Sequence, residues 1–213
     1  MRIYAVADIH GRLNRLKTIR DAVMGLTPDL LVIAGDITGY AGSTEILSSV
    51  NDFSLPVLAV RGNSDRRRVE KLCGIYPNIT ALHLRRIVLE GLAFVGVGGT
   101  VPVPFRSRFR FREGPVERVL SSMVDRDTCL VVHPPPFGVR DEVLGRFHAG
   151  CRSLARIIRK GRPRICICGH IHERSGVVSM GETLVVNCTM AGRHNGALIE
   201  CDGTDDIRVT MLP

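Results

Sequence analysis

No apolar run in this chain approaches the roughly 18 residues that a membrane-crossing helix requires, which argues against a transmembrane protein. Internal repeats, low-complexity segments and linker-like stretches are also missing. The 213 residues, 45% of them hydrophobic, are therefore expected to form one domain spanning residues 1–213. A chain of that length buries a sizeable core without disulfides. Zinc-finger spacing is absent from the seven cysteines, Cys73, Cys129, Cys151, Cys166, Cys168, Cys188 and Cys201. Cys166 and Cys168 alternate along one strand-like segment and read as small apolar filler of a core. Such thiols suit a reducing compartment. With no secretory leader ahead of a candidate site residue at position 8, the expected location is the cytoplasm.

Lysine is scarce: 3 lysines accompany 26 arginines, and the net charge is +8. A basic surface attracts nucleic acid or phosphorylated ligands. The local clusters are Arg66-Arg67-Arg68 and the stretch Phe105–Arg112, in which rings alternate with guanidinium groups. That alternation fits a single-strand-binding surface or a solvated flap, and its period of two favours the flap.

Leu13, Leu16, Ile19, Val23 and Leu26 recur at spacings of three and four, so Arg12–Leu26 reads as an amphipathic helix. Further helices are expected near Thr44–Asn51, after Asp65 as an N-cap, at Val116–Met123 and at Ser153–Lys160. Strand-like segments fall at Arg2–Ala7, Leu30–Ala34, Val57–Val60, Cys129–Val132 and Ile165–Cys168, and their alternation with helices argues for parallel βαβ units. Hairpins are expected at Arg86–Val97, turning at Glu90-Gly91, at Gly176–Val186, turning at Met180-Gly181, and at Ala197–Met211, turning at Asp202-Gly203. The sum is an α/β fold with two packed mixed β-sheets flanked by helices. Gly98–Gly114 and Pro134–Gly150 read as irregular walls over a site.

A polar motif stands where each strand-like run stops: Asp8-Ile9-His10, Gly35-Asp36, Gly62-Asn63-Ser64-Asp65, His133-Pro134 and Gly169-His170-Ile171-His172. In open sheets, ligands bind beyond the carboxyl ends of strands. Each motif alone is an ordinary turn or cap. Together they deliver aspartate, histidine and asparagine to one place, the residue types of a site for two metal ions. Glycines 35, 62 and 169 would let tight turns aim those side chains inward.

The set resembles the signature of the calcineurin-like metallophosphoesterases: DxH, GD, GNxD, a lone histidine and GHxH. The resemblance runs from Asp8 to at least Glu200. It implies a four-layer α/β/β/α sandwich in which Asp8, His10 and His172 hold one divalent ion. Asn63, His133 and His170 hold a second, and Asp36 bridges the pair. Asp36, Asn63 and His170 would bear most directly on catalysis. Oxygen and imidazole ligands suit manganese first, with iron, zinc, nickel or magnesium as alternatives. Paired ions would clamp an in-line displacement in which a bridging water attacks phosphorus directly.

Many members carry a histidine after the Gly-Asn pair, where it protonates the leaving group. Here the residue is Ser64, too weak an acid for that task, which makes the chain look more like the subgroup with cysteine there (GNCD). Good leaving groups are then required, so a phosphodiesterase is expected ahead of a phosphomonoesterase. Ser64, Arg61 and His148 are the candidate substrate contacts, although Arg61 equally suits pairing with a neighbouring carboxylate and His148 an exposed loop. The segment His133–Gly169 resembles a bacterial and archaeal branch of phosphoesterases. Val186-Asn187-Cys188-Thr189 stands where relatives often have Asn-Pro-Gly, and no role follows for Asn187. His83 and His194 have no motif context. The expected partner is a small phosphoester, self-association is open, and no membrane is involved. A nuclease or nucleotide phosphodiesterase is the second enzyme reading. A protein-binding scaffold of this fold, like the retromer subunit, is the reading from another class.

Overall fold

Strands that are apolar on both faces need cover on both sides, and here two sheets cover each other while helices cover their outer faces. The computed structural model describes residues 1–39, 43–99, 113–145, 147–202 and 206–213. The chain begins β1 (Arg2–Val6), α1 (Leu13–Leu26), β2 (Leu30–Ala34), α2 (Ser43–Asn51), β3 (Val57–Val60), α3 (Arg67–Cys73) and β4 (Ile79–Ala81). It continues through β5 (Arg85–Leu89), β6 (Leu92–Val97), α4 (Glu113–Met123), β7 (Thr128–Val132), β8 (Glu142–Val143), β9 (Phe147–His148) and α5 (Arg152–Gly161). It closes with β10 (Ile165–Cys168), β11 (Gly176–Met180), β12 (Thr183–Asn187), β13 (Ala197–Asp202) and β14 (Asp206–Met211).

The first sheet runs β14-β13-β1-β2-β3-β4 and the second β11-β12-β10-β7-β6-β5. Both are mixed: β1 to β4 pair in parallel, as do β6, β7, β10 and β12, and antiparallel strands complete the flanks. Side-chain alternation builds the layers. Ile3, Ala5, Leu30 and Val32 meet Phe94, Val131, Ile165 and Ile167 between the sheets. Tyr4, Val6, Leu31 and Ile33 point the other way, onto Leu16, Ile19, Leu47, Val50 and Val69 of α1 to α3. Leu130, Val132, Cys166 and Cys168 lie against Leu120 of α4 and Leu154, Ile157 and Ile158 of α5. The result is the expected four-layer sandwich.

Three local expectations need correction. Met180 pairs with Thr183, so the second hairpin turns at Gly181-Glu182, one residue later than read. Pro134–Gly150 is not wholly irregular, because β8 and β9 pair there as a short antiparallel hairpin. Two-residue strands are too short to show a period of two, so the sequence carries no trace of them. Helix α3 starts at Arg67 with Arg66 as its N-cap, and Asp65 serves elsewhere. The Glu90-Gly91 turn is as expected, with φ of +47° and +81°, the left-handed pair of a type I′ hairpin. The stretch Phe105–Arg112 and the Gly203 turn position lie outside the described residues.

No helix among the described residues is long and apolar enough to cross a membrane. All seven cysteines are free and buried. Burial pushes the thiols of Cys73 and Cys166 up to about 12. A thiol reagent at about pH 8 should therefore leave the native protein almost unmodified, and it should titrate all seven cysteines once urea unfolds the chain. Rapid labelling of the native protein would contradict this core assignment.

Candidate metal centre

The five motif loops leave the carboxyl ends of β1, β2, β3, β7 and β10. The Asp8 N–H donates to the Gly35 carbonyl at 3.0 Å and the His10 N–H to the Asp36 carbonyl at 2.7 Å, so the first two loops run side by side. The Gly169 N–H meets the His133 carbonyl at 2.9 Å in the second sheet. Among the bonds that cross between the sheets, the His170 N–H donates to Asp8 Oδ2 at 3.0 Å and the Ala7 N–H to the Cys188 carbonyl at 3.1 Å.

Seating these side chains strains the backbone. Asp8, His10, Asp36 and His170 take φ of +60°, +53°, +52° and +71°. Left-handed conformations cost non-glycine residues on the order of 1–3 kcal/mol each, and they persist where surrounding structure enforces them. Arg15 on α1 supplies part of that enforcement by donating to the Asp8 carbonyl. The glycines act mainly through close approach. A Cβ on Gly62 would stand 2.0 Å from Asp36 Oδ1, and one on Gly169 would stand 2.4 Å from Ala7 Cβ.

Two groups of ligand-type atoms converge within 4.8 Å: Asp8 with His10 and His172, and Asp8 with Asp36 and His133. Asp8 is common to both. Asp36 Oδ2 stands between the groups, 3.7 Å from His10 Nε2 and 3.5 Å from His133 Nε2. Asn63 Oδ1 is 2.9 Å from His133 Nε2. The ring of His170 lies outside both groups but packs edge-on against His133, centroids 5.0 Å apart. All seven expected ligand residues thus gather at one end of the sandwich.

The arrangement fits a cation. Asp8 Oδ1 is buried with no hydrogen-bond partner. Its nearest imidazole nitrogens, on His172 and His10, are 3.5 and 3.8 Å away. Those two Nε2 atoms approach each other to 3.5 Å. A buried carboxylate oxygen without a donor, facing crowded ring nitrogens, is costly by itself and is satisfied by a shared positive ion. His133 Nδ1 contacts the Ala34 carbonyl at 2.9 Å, an outer contact that orients the ring and leaves Nε2 facing the site.

The electrostatics are polarised. Burial opposes charge on His133, but the Asp36 carboxylate outweighs it and raises the imidazole to about 9. His170 is lowered to about 4 by burial and then by the charge of His133. Asp36 stays well below the usual carboxylate range despite burial, held there by His133 and the Ser64 N–H. Of two adjacent rings, the one facing Asp36 is drawn toward the protonated form and the other away from it.

The three expected substrate contacts each have a partner within the chain. Ser64 Oγ donates to Asp36 Oδ2 at 2.9 Å while its N–H donates to Oδ1 at 2.7 Å, so it orients the carboxylate. Arg61 Nε pairs with Glu70 at 3.0 Å, one of the two arrangements its position suits. His148 Nδ1 meets the buried Asp141 at 2.7 Å, fastening β9 beside β8, while its ring stays exposed. His83 accepts the Gly98 N–H at 3.0 Å, and His194 pairs with Ser175 at 2.8 Å.

Asp65 emerges as a positioning residue. Its fully buried carboxylate accepts from the N–H groups of Gly62, Ile37 and Thr38 and from the Thr38 hydroxyl, at 2.8–3.0 Å. It clips the Asp36 loop to the Asn63 loop. Its place before a helix masked this role. Asn187 also gains a function, since its Nδ2 donates to the Ile171 carbonyl at 2.9 Å and steadies the Gly169–His172 turn.

Comparisons with known proteins bear on the family and the fold. Residues 1–199 match the model of the calcineurin-like phosphoesterase superfamily domain. An uncharacterized protein of Methanocaldococcus jannaschii is 31% identical over 200 residues, which are 88% of this chain and 87% of that protein. A dimetal phosphatase from Danio rerio superposes with a TM-score of 0.71 at 13% identity, covering 99% of this chain and 95% of that one. A structure described as a novel archaeal phosphodiesterase has a TM-score of 0.54 at 15% identity, over the full length of both chains. At such identities the two structures bear on the fold alone.

Replacing Asp65 by Ala strands several buried donors at once. Urea unfolding should show a loss of about 3 kcal/mol or more, whereas Thr38→Val should cost about 1 kcal/mol. The His148–Asp141 contact raises the imidazole above 6.5. Its stabilisation is therefore complete below that value and fades as pH rises through the raised one. His148→Ala should lower the melting temperature more at about pH 5.5 than at about pH 9; an equal gap at both would refute the pairing.

Proposed function

The chain belongs to the calcineurin-like phosphoesterase superfamily, and on that premise we propose that it is a dinuclear metal-dependent phosphodiesterase acting on a small phosphoester. The observation that carries the reading is the unpartnered, buried Oδ1 of Asp8 among converging imidazoles and a second carboxylate. Asp8, His10 and His172 would hold one ion, and Asn63, His133 and His170 the other, with Asp36 between them. Hard and borderline donors of this kind favour manganese among the candidates iron, zinc, nickel and magnesium. When bound, the ions supply the positive charge that polarises a phosphoester and acidifies water.

The chain's own residues prepare the site. Ser64 and Asp65 hold Asp36 and its loop rigid, so the carboxylate keeps its direction as charge builds on phosphorus. Ala34 fixes the His133 ring and thereby the face its Nε2 presents. The burial of Asp8, Asp36 and His133 excludes bulk water from the floor of the site, which strengthens every charge interaction there. Ser64 cannot protonate a departing alkoxide. That missing acid supports aryl and cyclic diesters over alkyl monoesters.

Mn²⁺-loaded protein should therefore hydrolyse bis-p-nitrophenyl phosphate faster than glycerol phosphate. Asp36→Asn and His170→Ala should each cut turnover by about 100-fold and lower the bound metal, with the circular dichroism spectrum unchanged. Faster cleavage of glycerol phosphate would overturn the diester preference. Full activity in Asp36→Asn would overturn the assigned centre.

A further inference from the structure

A cleft of about 510 Å³ opens beside the metal centre, lined by Arg140, His172, Arg174, Ser175, Arg193 and His194. That volume lies within the range of small-ligand sites. His172 joins the two spaces, since the same ring stands 3.5 Å from Asp8 Oδ1 and forms a wall of the cleft. Three guanidinium groups line the cleft and Glu173 is its one carboxylate. Arg174 is already paired with Glu142. Among the described residues, neither Arg140 nor Arg193 has a carboxylate partner.

The walls are built rather than loose. Arg140 sits at φ +53° and donates to the Val177 carbonyl at 2.8 Å. Its guanidinium lies over Gly176, where a Cβ would come within 3.0 Å of Nη2. The Ser175–His194 bond holds the imidazole in place. Gly192 packs so closely that a Cβ there would stand 2.2 Å from the His172 carbonyl. A fixed arginine with free N–H groups is a strong recogniser of phosphate oxygens, because the fork loses little freedom on binding.

We propose that this cleft binds a second phosphate of the substrate, so that the substrate class is a phosphoester carrying a further phosphate group beyond the one at the metal centre. The word substrate rests on the phosphoesterase reading above; the anion binding rests on the cleft alone.

Metal-free protein titrated calorimetrically with inorganic pyrophosphate at low salt should show saturable binding. Arg193→Glu, at an exposed position that tolerates change, should weaken it by about ten-fold, and Arg140→Gln similarly. Arg68→Gln, in the separate basic cluster on α3, should stay within about two-fold of wild type. Absence of saturable binding, or equal affinity in wild type and a folded Arg193→Glu protein, would overturn the cleft. Turnover of bis-p-nitrophenyl phosphate by the Mn²⁺-loaded wild type reports separately on the phosphoesterase reading. Pyrophosphate binding without that turnover would sink the enzyme assignment and leave the anion site standing.

Discussion

One carboxylate oxygen of Asp8 joins the two sheets, and the other is left without a donor at the place where they meet. The bond from the His170 N–H to Oδ2 ties the end of β1 to the end of β10. The ring of His172, two residues on, is brought toward Oδ1 from the second sheet, and His10 reaches it from the first. The site exists only because the sandwich is closed at this end. The neighbouring Ala7 helps to close it, donating its N–H to the Cys188 carbonyl and accepting from the Met190 N–H.

Rigidity around that point comes from several modest contacts aimed at one task. Four residues in left-handed conformations would each relax if the loops were free. Asp65 clips two of those loops, Ser64 holds Asp36 by backbone and side chain, Arg15 holds the Asp8 carbonyl, and Asn187 holds the Ile171 carbonyl. Strain and support occur together, as expected where a fold keeps charged groups in a geometry they would not adopt in water.

Charge is sorted with equal care. Two buried carboxylates, Asp8 and Asp36, face imidazoles of which one, His133, is drawn toward protonation and its neighbour His170 is driven away from it. The basic character of the chain reappears at the rim, where Arg140 and Arg193 line the cleft beside His172. Among the described residues, an electropositive cleft thus stands next to a floor of carboxylates and imidazoles.

Much of this was legible in the residues alone. The apolar runs ending at Asp8, Asp36, Asn63, His133 and His170 all became strands, since a segment buried on both faces has few other solutions. The seven expected ligand residues gathered because parallel strands in each sheet end on one edge and the two edges meet at the same end of the sandwich. The clip made by Asp65 and the partner of His148 were not legible, whereas a carboxylate partner for Arg61 was. The first two depend on a partner far away or in a loop without periodicity: Ile37 and Thr38 for Asp65, and Asp141 across a two-residue strand from His148. Sequence by itself determined which residue types stand at the strand ends and the layered order that assembles them. Tertiary structure alone decided which oxygen of Asp8 lacks a hydrogen-bond donor, which imidazole is drawn toward protonation and which arginines line the cleft beside the site, because burial and distance are properties of the packed chain.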